Sequence, residues 1–414
     1  MDIKKDKNIK KFGFYGLLKN LKFFEPFLYI FFLSLGFSYF QIGTLISIRE
    51  ITKNILEVPS GIFADQYGRK KSLQICFIFY IFSFILFYLA LNYLVMILAV
   101  IFFGIAEAFR SGTHKAIIFL YLDRRGLADK KSEVYGRTKS YSLIGSAISA
   151  LIGAFIVFVE SNYRLIFLFS IIPYILDFIL ISTYPAYLDG KTNGNLDLKK
   201  FFLAGIDSLK RLLFNLQDLR KGIINSGIYD GFFKVLKDYL QPILKIELIA
   251  LPLMLNYGEE KRLSALLGLS YAVIYLLSSA ASRSAFKLKR IFADTGKALN
   301  IVYILTVSIM ALIGLIINSG FTYFIILLFI LFYVLRSMRR PVMLDYIANI
   351  IAEKERATML SIESQFRTVF IVVSAPIIGF IADRWGLNIM FLTAALVMLL
   401  LKTLIKLSVQ KNSK

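Results

Sequence analysis

The hydrophobic positions of this chain fall in long runs broken by short polar connectors. Residues 77–109 read FIFYIFSFILFYLALNYLVMILAVIFFGIAEAF, with Glu107 the single charge. About 20 such residues in a helix cross the hydrocarbon of a bilayer, whereas a spanning barrel needs short segments of alternating character, which are absent. The pattern predicts twelve membrane-crossing helices, at 23–38, 40–65, 72–92, 94–120, 139–159, 164–186, 222–247, 262–283, 297–317, 321–342, 357–382 and 387–408. The long polar connector, 188–221, contains NGNLDLKKFFLAGIDSLKRLLFNLQDLRKG. Apolar residues recur there at helical spacing and Lys and Arg fill the other face, which predicts an interfacial helix. The expected organisation is a six-helix bundle over 1–187, a cytoplasmic linker over 188–221 and a second six-helix bundle over 222–414.

Composition sharpens this to an all-α membrane protein. The chain is 57% hydrophobic and 15% aromatic, beyond the roughly 45–50% apolar content of soluble domains. Its net charge of +22 raises nucleic acid as a partner, but the cations sit in connectors, where topology accounts for them. With the N-terminus inside, roughly 35 basic residues fall on the cytoplasmic side against about four outside (Arg164, Lys261, Arg262 and Arg384), so both termini are expected in the cytoplasm of a cell-membrane protein. Cys76 is the only cysteine, which excludes an intrachain disulfide. The basic N-terminus lacks the cleavage site of a signal peptide. No phosphate-cradling G-x-x-x-x-G-K-[ST] loop is present, which argues against direct use of ATP.

One corner is written twice. GIFADQYGRKKS starts at Gly61 and GFIADRWGLNIM at Gly379, aligning Gly61 with Gly379, Ala64 with Ala382, Asp65 with Asp383 and Gly68 with Gly386. The first continues Arg69-Lys70-Lys71 and the second Leu387-Asn388-Ile389. The first copy is expected on the cytoplasmic side, where cations are favoured, and the second outside, where they are not. Three-helix units of inverted topology would place one corner on opposite faces in this way. The plainer alternative is two similar tight corners in a membrane chain containing glycine.

With GIFADQYGRKK, the preceding LEVPSG, the twelve spans and the central basic connector, the sequence resembles the major facilitator superfamily. Gly61, Asp65, Gly68, Arg69 and Lys70 match that family's loop between helices two and three; Gln66 departs where Arg is usual. The resemblance implies a two-bundle secondary transporter in which this loop latches the halves. Physically, Gly61 and Gly68 would let helix ends approach closely. Asp65 would meet a helix N-terminus or an Arg of the same half. The cations would anchor to anionic lipid or pair with carboxylates. The loop between helices eight and nine, ASRSAFKLKRIF, keeps the cations and lacks the Gly-Asp pattern. Helix five carries a close-packing stripe of Gly145, Ser149 and Gly153, without the Gly-Pro pair of the superfamily's drug/proton antiporters.

Ionisable residues inside spans cost at least about 2.5–3.5 kcal/mol each and are functional candidates by default. Glu107, Arg110 and His114 share one face of helix four; Asp230, Lys234, Lys237 and Gln241 share one face of helix seven, with Asp238 at its edge. Arg49, Lys53 and Glu57 lie on helix two, Asp177 on helix six, Arg336 on helix ten, and Glu363 and Arg367 on helix eleven. The resemblance implies that helices one, four, seven and ten line a central cavity. The candidates for substrate binding or proton coupling are therefore Glu107, Arg110, Asp230, Lys234, Asp238 and Arg336. For helices two and eleven an ion-pair network is the favoured reading. His114 reads as a packing residue ahead of a proton relay.

The expected function is secondary transport of a small solute by alternating access, with carboxylates carrying protons and cations holding an organic anion. The rivals are a proton-driven multidrug efflux antiporter, suited to a chain with 39 Phe and 23 Tyr, and a transporter-like receptor that binds without moving its ligand. An enzyme is disfavoured, as no nucleophile–base set appears. No metal or other cofactor is expected without clustered His or Cys ligands. The expected partners are a small-molecule substrate, protons and membrane lipids, with the protein acting as a monomer.

Overall fold

The computed structural model describes residues 6–127, 130–190, 217–247, 252, 254–292, 294–351 and 356–408. The interfacial helix predicted in the connector 188–221 lies for the most part on 191–216, outside the described residues; its last stretch, from Gln217, is the start of the helix Gln217–Leu236.

The described chain is helical, with the architecture expected of a twelve-helix membrane protein. In order come α1 (Lys7–Leu18), α2 (Leu28–Ser34), α3 (Tyr39–Tyr67), α4 (Arg69–Leu89), α5 (Tyr93–Arg110), α6 (Thr113–Arg124), α7 (Lys131–Glu160) and α8 (Leu165–Ser182). Then follow α9 (Gln217–Leu236), α10 (Leu240–Glu247), α11 (Glu259–Arg283), α12 (Phe286–Phe292), α13 (Thr295–Ile316), α14 (Thr322–Ile350) and α15 (Arg356–Leu404). Some spans are broken: α1 pairs with α2, α5 with α6 and α9 with α10, while α15 holds two rods joined at Gly386, which is non-helical at φ 87 and ψ 168. Eight stretches among the described residues are long and apolar enough to cross a membrane. A lipid environment leaves the backbone no partner but itself, so helices are what such runs must form. Leu94, Phe155 and Leu404 are among many large apolar side chains left exposed for lipid.

The breaks have local causes. Ser111 and Gly112 interrupt the fourth rod, Gly112 taking a left-handed φ of 72. The expected single face of Glu107, Arg110 and His114 is thereby split between two helices. The seventh rod breaks at a 3-10 turn, Lys237–Tyr239. Pro242 has no N–H for the carbonyl of residue 238 and its ring crowds that carbonyl, so a straight helix cannot continue. The residues predicted on one face are thereby divided, Asp230 and Lys234 on α9, Lys237 on the turn and Gln241 on α10.

The first rod starts sixteen residues before the predicted 23. Asp6 caps α1, accepting from the Asn8 and Ile9 N–H groups, and Ile9, Phe12 and Tyr15 are buried. The basic stretch expected as a cytoplasmic tail is thus partly an amphipathic helix, and it packs on α7 and α8. Likewise α14 runs to Ile350, eight residues past its predicted end.

Contacts divide the chain into two compact units, one comprising 1–37, 48–195 and 253–276, the other 38–47, 196–252 and 277–414. In the first, α4 lies between α5 and α8, and α1 packs on α7. Lipid is as apolar as leucine, so helices in a membrane associate through close approach rather than apolar burial. A side chain at Gly145 or Gly153 would strike the backbone carbonyls of Leu17 and Phe23, which is the close-packing stripe read from the sequence. In the second unit, α15 packs along α9 and α13, around a core that includes Ile223, Met343, Tyr346 and Met359.

Candidate functional site

The repeated corner has the same backbone in both copies: Gly68 at φ 115 and Gly386 at φ 87 adopt conformations closed to most side chains. Gly68 also abuts Asp189, whose carboxylate would lie 2.8 Å from an added Cβ. Gly61 differs from the expectation of close approach, because an added Cβ there meets nothing described within 4 Å. It sits on an open side of α3, about two helical turns before the corner at Gly68.

Electrostatically the copies differ. Asp65 takes the Arg of its own half, with Arg69 Nη2 at 3.4 Å. Lys70 is a staple. Its N–H donates to Asp189 Oδ1 at 2.9 Å, and its Nζ donates to the carbonyls of Ser182 and Tyr184 at 2.6 and 3.0 Å. A cation there complements the negative end of α8. In the second copy Asp383 accepts the N–H groups of Tyr39 and Phe40, both at 2.8 Å. Ser38 and Gln41 complete that end of α3 with a reciprocal capping box, the Gln41 N–H donating to Ser38 Oγ and the Ser38 N–H to Gln41 Oε1. Every opening N–H of α3 therefore has an acceptor.

In the first unit a cavity of about 420 Å³ opens beside the break between α5 and α6. Four cations line it: Lys19, Arg110, Lys115 and Lys139. Ser142 and Ser146 add hydroxyls, and no described lining residue is a carboxylate. Arg110 is oriented from two sides, its Nε donating to the Tyr80 hydroxyl at 3.1 Å and its Nη2 lying 3.7 Å from Glu107. Glu107 has Lys22, Arg49 and Lys53 in electrostatic reach as well as Arg110, so it is an acid encircled by cations. Lys19 Nζ lies 5.6 Å from the Tyr15 ring centre and Lys22 Nζ 5.2 Å from that of Phe103, attractive placements for an ammonium.

His114 is buried, stacked on Tyr15 with ring centres 3.6 Å apart, and its Nε2 is 3.1 Å from the Tyr184 hydroxyl. This is the packing role expected of the lone histidine.

The second unit gathers the other candidates differently. Asp230 meets Arg336 Nε at 3.4 Å and Arg340 Nη1 at 2.8 Å. Arg340 also reaches Glu363 at 2.8 and 3.1 Å and the Ser226 hydroxyl at 3.0 Å. Arg367 closes the cluster, 3.4 Å from Glu363. The helix-eleven charges are thus ion-paired as expected, yet in one network with Asp230 on α9. Asp238 lies apart on the 3-10 turn, held by Lys237 Nζ at 2.7 Å. Lys234 is half-buried on α9, just before the break that carries Asp238. Arg340, at the hub, was counted among the inner-loop cations in the sequence; so were Lys19 and Lys139. Their position beside apolar spans was the available signal.

The sequence model of the Major Facilitator Superfamily matches residues 20–332. A relative in Bacillus subtilis (strain 168), YxaM, described as an uncharacterized MFS-type transporter, is 22% identical over 388 residues, covering 91% of this chain and 89% of the relative. Among solved structures, a mutant form of the nucleoside transporter NupG superposes with a TM-score of 0.78 at 13% identity, covering 96% of this chain and 98% of that one. A D-xylose-proton symporter superposes at 0.68 with 15% identity, covering 94% and 96%. A POT family transporter in complex with 5-aminolevulinic acid does so at 0.72 with 12% identity, covering 96% and 95%.

Proposed function

The chain belongs to the Major Facilitator Superfamily, and from that premise we propose that it carries a small organic anion across the cell membrane by alternating access, coupled to protons. The moving parts in this reading are the halves 1–187 and 222–414, joined by 188–221, with both termini in the cytoplasm and the monomer as the working unit. The observation that supports the anion is the lining of the cavity in the first unit. Lys19, Arg110, Lys115 and Lys139 converge there without a carboxylate among the described lining residues. A neutral or cationic solute would leave that charge uncompensated in a site walled by apolar helices, whereas one or two carboxylate or phosphate groups would answer it.

Arg110 is the central binding residue, because Tyr80 and Glu107 fix its guanidinium and a fixed fork recognises a planar oxyanion in two-point fashion. Asp230, Arg336, Arg340 and Glu363 tie α9, α14 and α15 together as a movable ionic lock. The corner at Asp65 and its counterpart at Asp383 act as gate latches at opposite membrane faces. The structural neighbours include a D-xylose-proton symporter and a transporter of nucleosides, which supports proton coupling and a small polar cargo.

Counterflow in proteoliposomes tests the reading. Vesicles loaded with unlabelled succinate, inorganic phosphate or a sugar phosphate should take up the matching labelled anion in transient excess, and Arg110→Ala should lower that exchange at least tenfold. Exchange confined to lipophilic cations would replace the anion with efflux of amphipathic drugs. Saturable binding with no exchange at all would make the protein a receptor.

A further inference from the structure

Two buried polar side chains, one of them in the cavity lining, have no hydrogen-bond partner among the described residues. Asp177 on α8 is fully buried, and neither Oδ1 nor Oδ2 has a hydrogen-bond donor among the described residues. The Tyr15 hydroxyl, also buried, is likewise unmatched. Tyr15 itself lines the cavity, stacked on His114 and beside the Lys19 ammonium. Orphaned polar atoms of this kind are rare in a folded interior, and each calls for a reason such as a functional proton.

The surroundings of Asp177 are specific. Tyr174, three residues before it on α8, donates its hydroxyl to the Lys19 carbonyl at 3.0 Å, which sets this part of α8 against the Lys19 end of α1. Tyr15, Lys19, Cys76 and Arg110 all lie within electrostatic reach of Asp177. Tyr174 of its own helix and Tyr184 beyond it complete the shell, with His114 of α6 behind Tyr15 and Lys139 of α7 near Lys19. The cations nearer the end of α8, Lys11 and Lys70, are committed to the carbonyls of Thr183, Ser182 and Tyr184. The charges that act on Asp177 are thus Lys19 and Arg110, the same two that line the anion cavity.

We propose that Asp177 is the proton-binding carboxyl of the transport cycle, and that it takes up its proton together with the anion held by Lys19 and Arg110. The inference rests on the anion-transport reading above. An ionised carboxylate without donors in a dry interior is poorly tolerated unless nearby cations compensate it. When the cavity is empty, Lys19 and Arg110 supply that compensation and draw the proton off. When an anion occupies both cations, the compensation is withdrawn and Asp177 binds a proton from the aqueous side then open. On the other side the anion leaves and the proton returns to water, so one proton crosses per anion and no bond other than O–H is made or broken. Reciprocity follows, since each ligand raises the affinity of the other. Glu107, Asp230 and Glu363 are less suited, being already held by arginines.

The purified full-length protein tests this with succinate and inorganic phosphate as probes. Affinity for the probe that binds wild type should weaken about tenfold per pH unit on the alkaline limb, as one co-bound proton requires. In Asp177→Asn the affinity should stay at its acid-limit value at every pH. Counterflow should then persist without its pH dependence, while accumulation driven by a pH gradient is lost. A variant that keeps the wild-type pH dependence, or still accumulates the probe uphill, overturns the assignment and leaves anion transport standing. Wild type that neither binds nor exchanges either probe overturns the anion reading itself. Should Asp177→Asn fail to fold, infrared difference spectra of wild type decide the matter. Probe addition must raise the carbonyl band of a newly protonated carboxylic acid, and its absence refutes the proposal.

Discussion

At the scale of residues, this protein shows that a charge in a membrane is defined by its partners. Arg340 sits among Asp230, Glu363 and Ser226, with both carboxylates almost fully buried. Removing it leaves two buried carboxylates with only the longer contacts of Arg336 and Arg367 to compensate them. Arg340→Met should therefore destabilise the protein by about 3–5 kcal/mol, read as a lower melting temperature in detergent. Arg336 pairs with the same Asp230 but is 38% exposed, so Arg336→Ala should cost no more than about 1 kcal/mol in the same assay. A reversal of that order would refute Arg340 as the hub. Both arginines were visible in the sequence towards the C-terminal end of one span. Their different ranks were not, because Glu363 and Ser226, which single out Arg340, come from α15 and α9.

At the scale of elements, the helices are as long as their hydrophobic runs and bend where the chain demands it. The stripe Gly145, Ser149 and Gly153 could be read from spacing alone, and its glycines lie against the carbonyls of Leu17 and Phe23. Gly153→Val would force α7 away from the first rod, and overpacking of this kind costs about 1–3 kcal/mol. The expected outcome is a lower melting temperature with insertion retained. The second corner makes a separate prediction. Asp383 accepts two N–H groups at the start of α3, and loss of such a cap typically costs about 0.5–2 kcal/mol. Asp383→Ala should speed amide hydrogen exchange at Tyr39 and Phe40 and leave the rest of α3 protected; unaltered exchange there would mean the cap is dispensable. The sequence pattern located this Asp and its glycines but not its target, since residues 39 and 383 meet only through packing.

At the scale of the whole molecule, the proposed topology and gating can be tested with the chain's own chemistry. The sole cysteine, Cys76, is buried, so a cysteine introduced at an exposed position reports its side of the membrane without background. In intact cells Lys71→Cys should resist an impermeant maleimide that labels Arg384→Cys; the opposite result would invert the topology. Asp65→Asn should insert normally yet reduce counterflow at least tenfold, while wild-type exchange in that variant would reduce the corner to a structural turn. By itself the sequence determined the class of molecule: its apolar runs must become helices in lipid, because no other backbone state there satisfies every N–H and C=O. Its cation-bearing connectors and repeated corner likewise pointed to the superfamily. The tertiary structure alone decided which charges pair, which line the cavity and which, like Asp177, stand unmatched. Ionic partnership is settled over distances of a few ångströms between helices far apart in sequence, and helical periodicity along one rod carries no record of what the neighbouring rod presents.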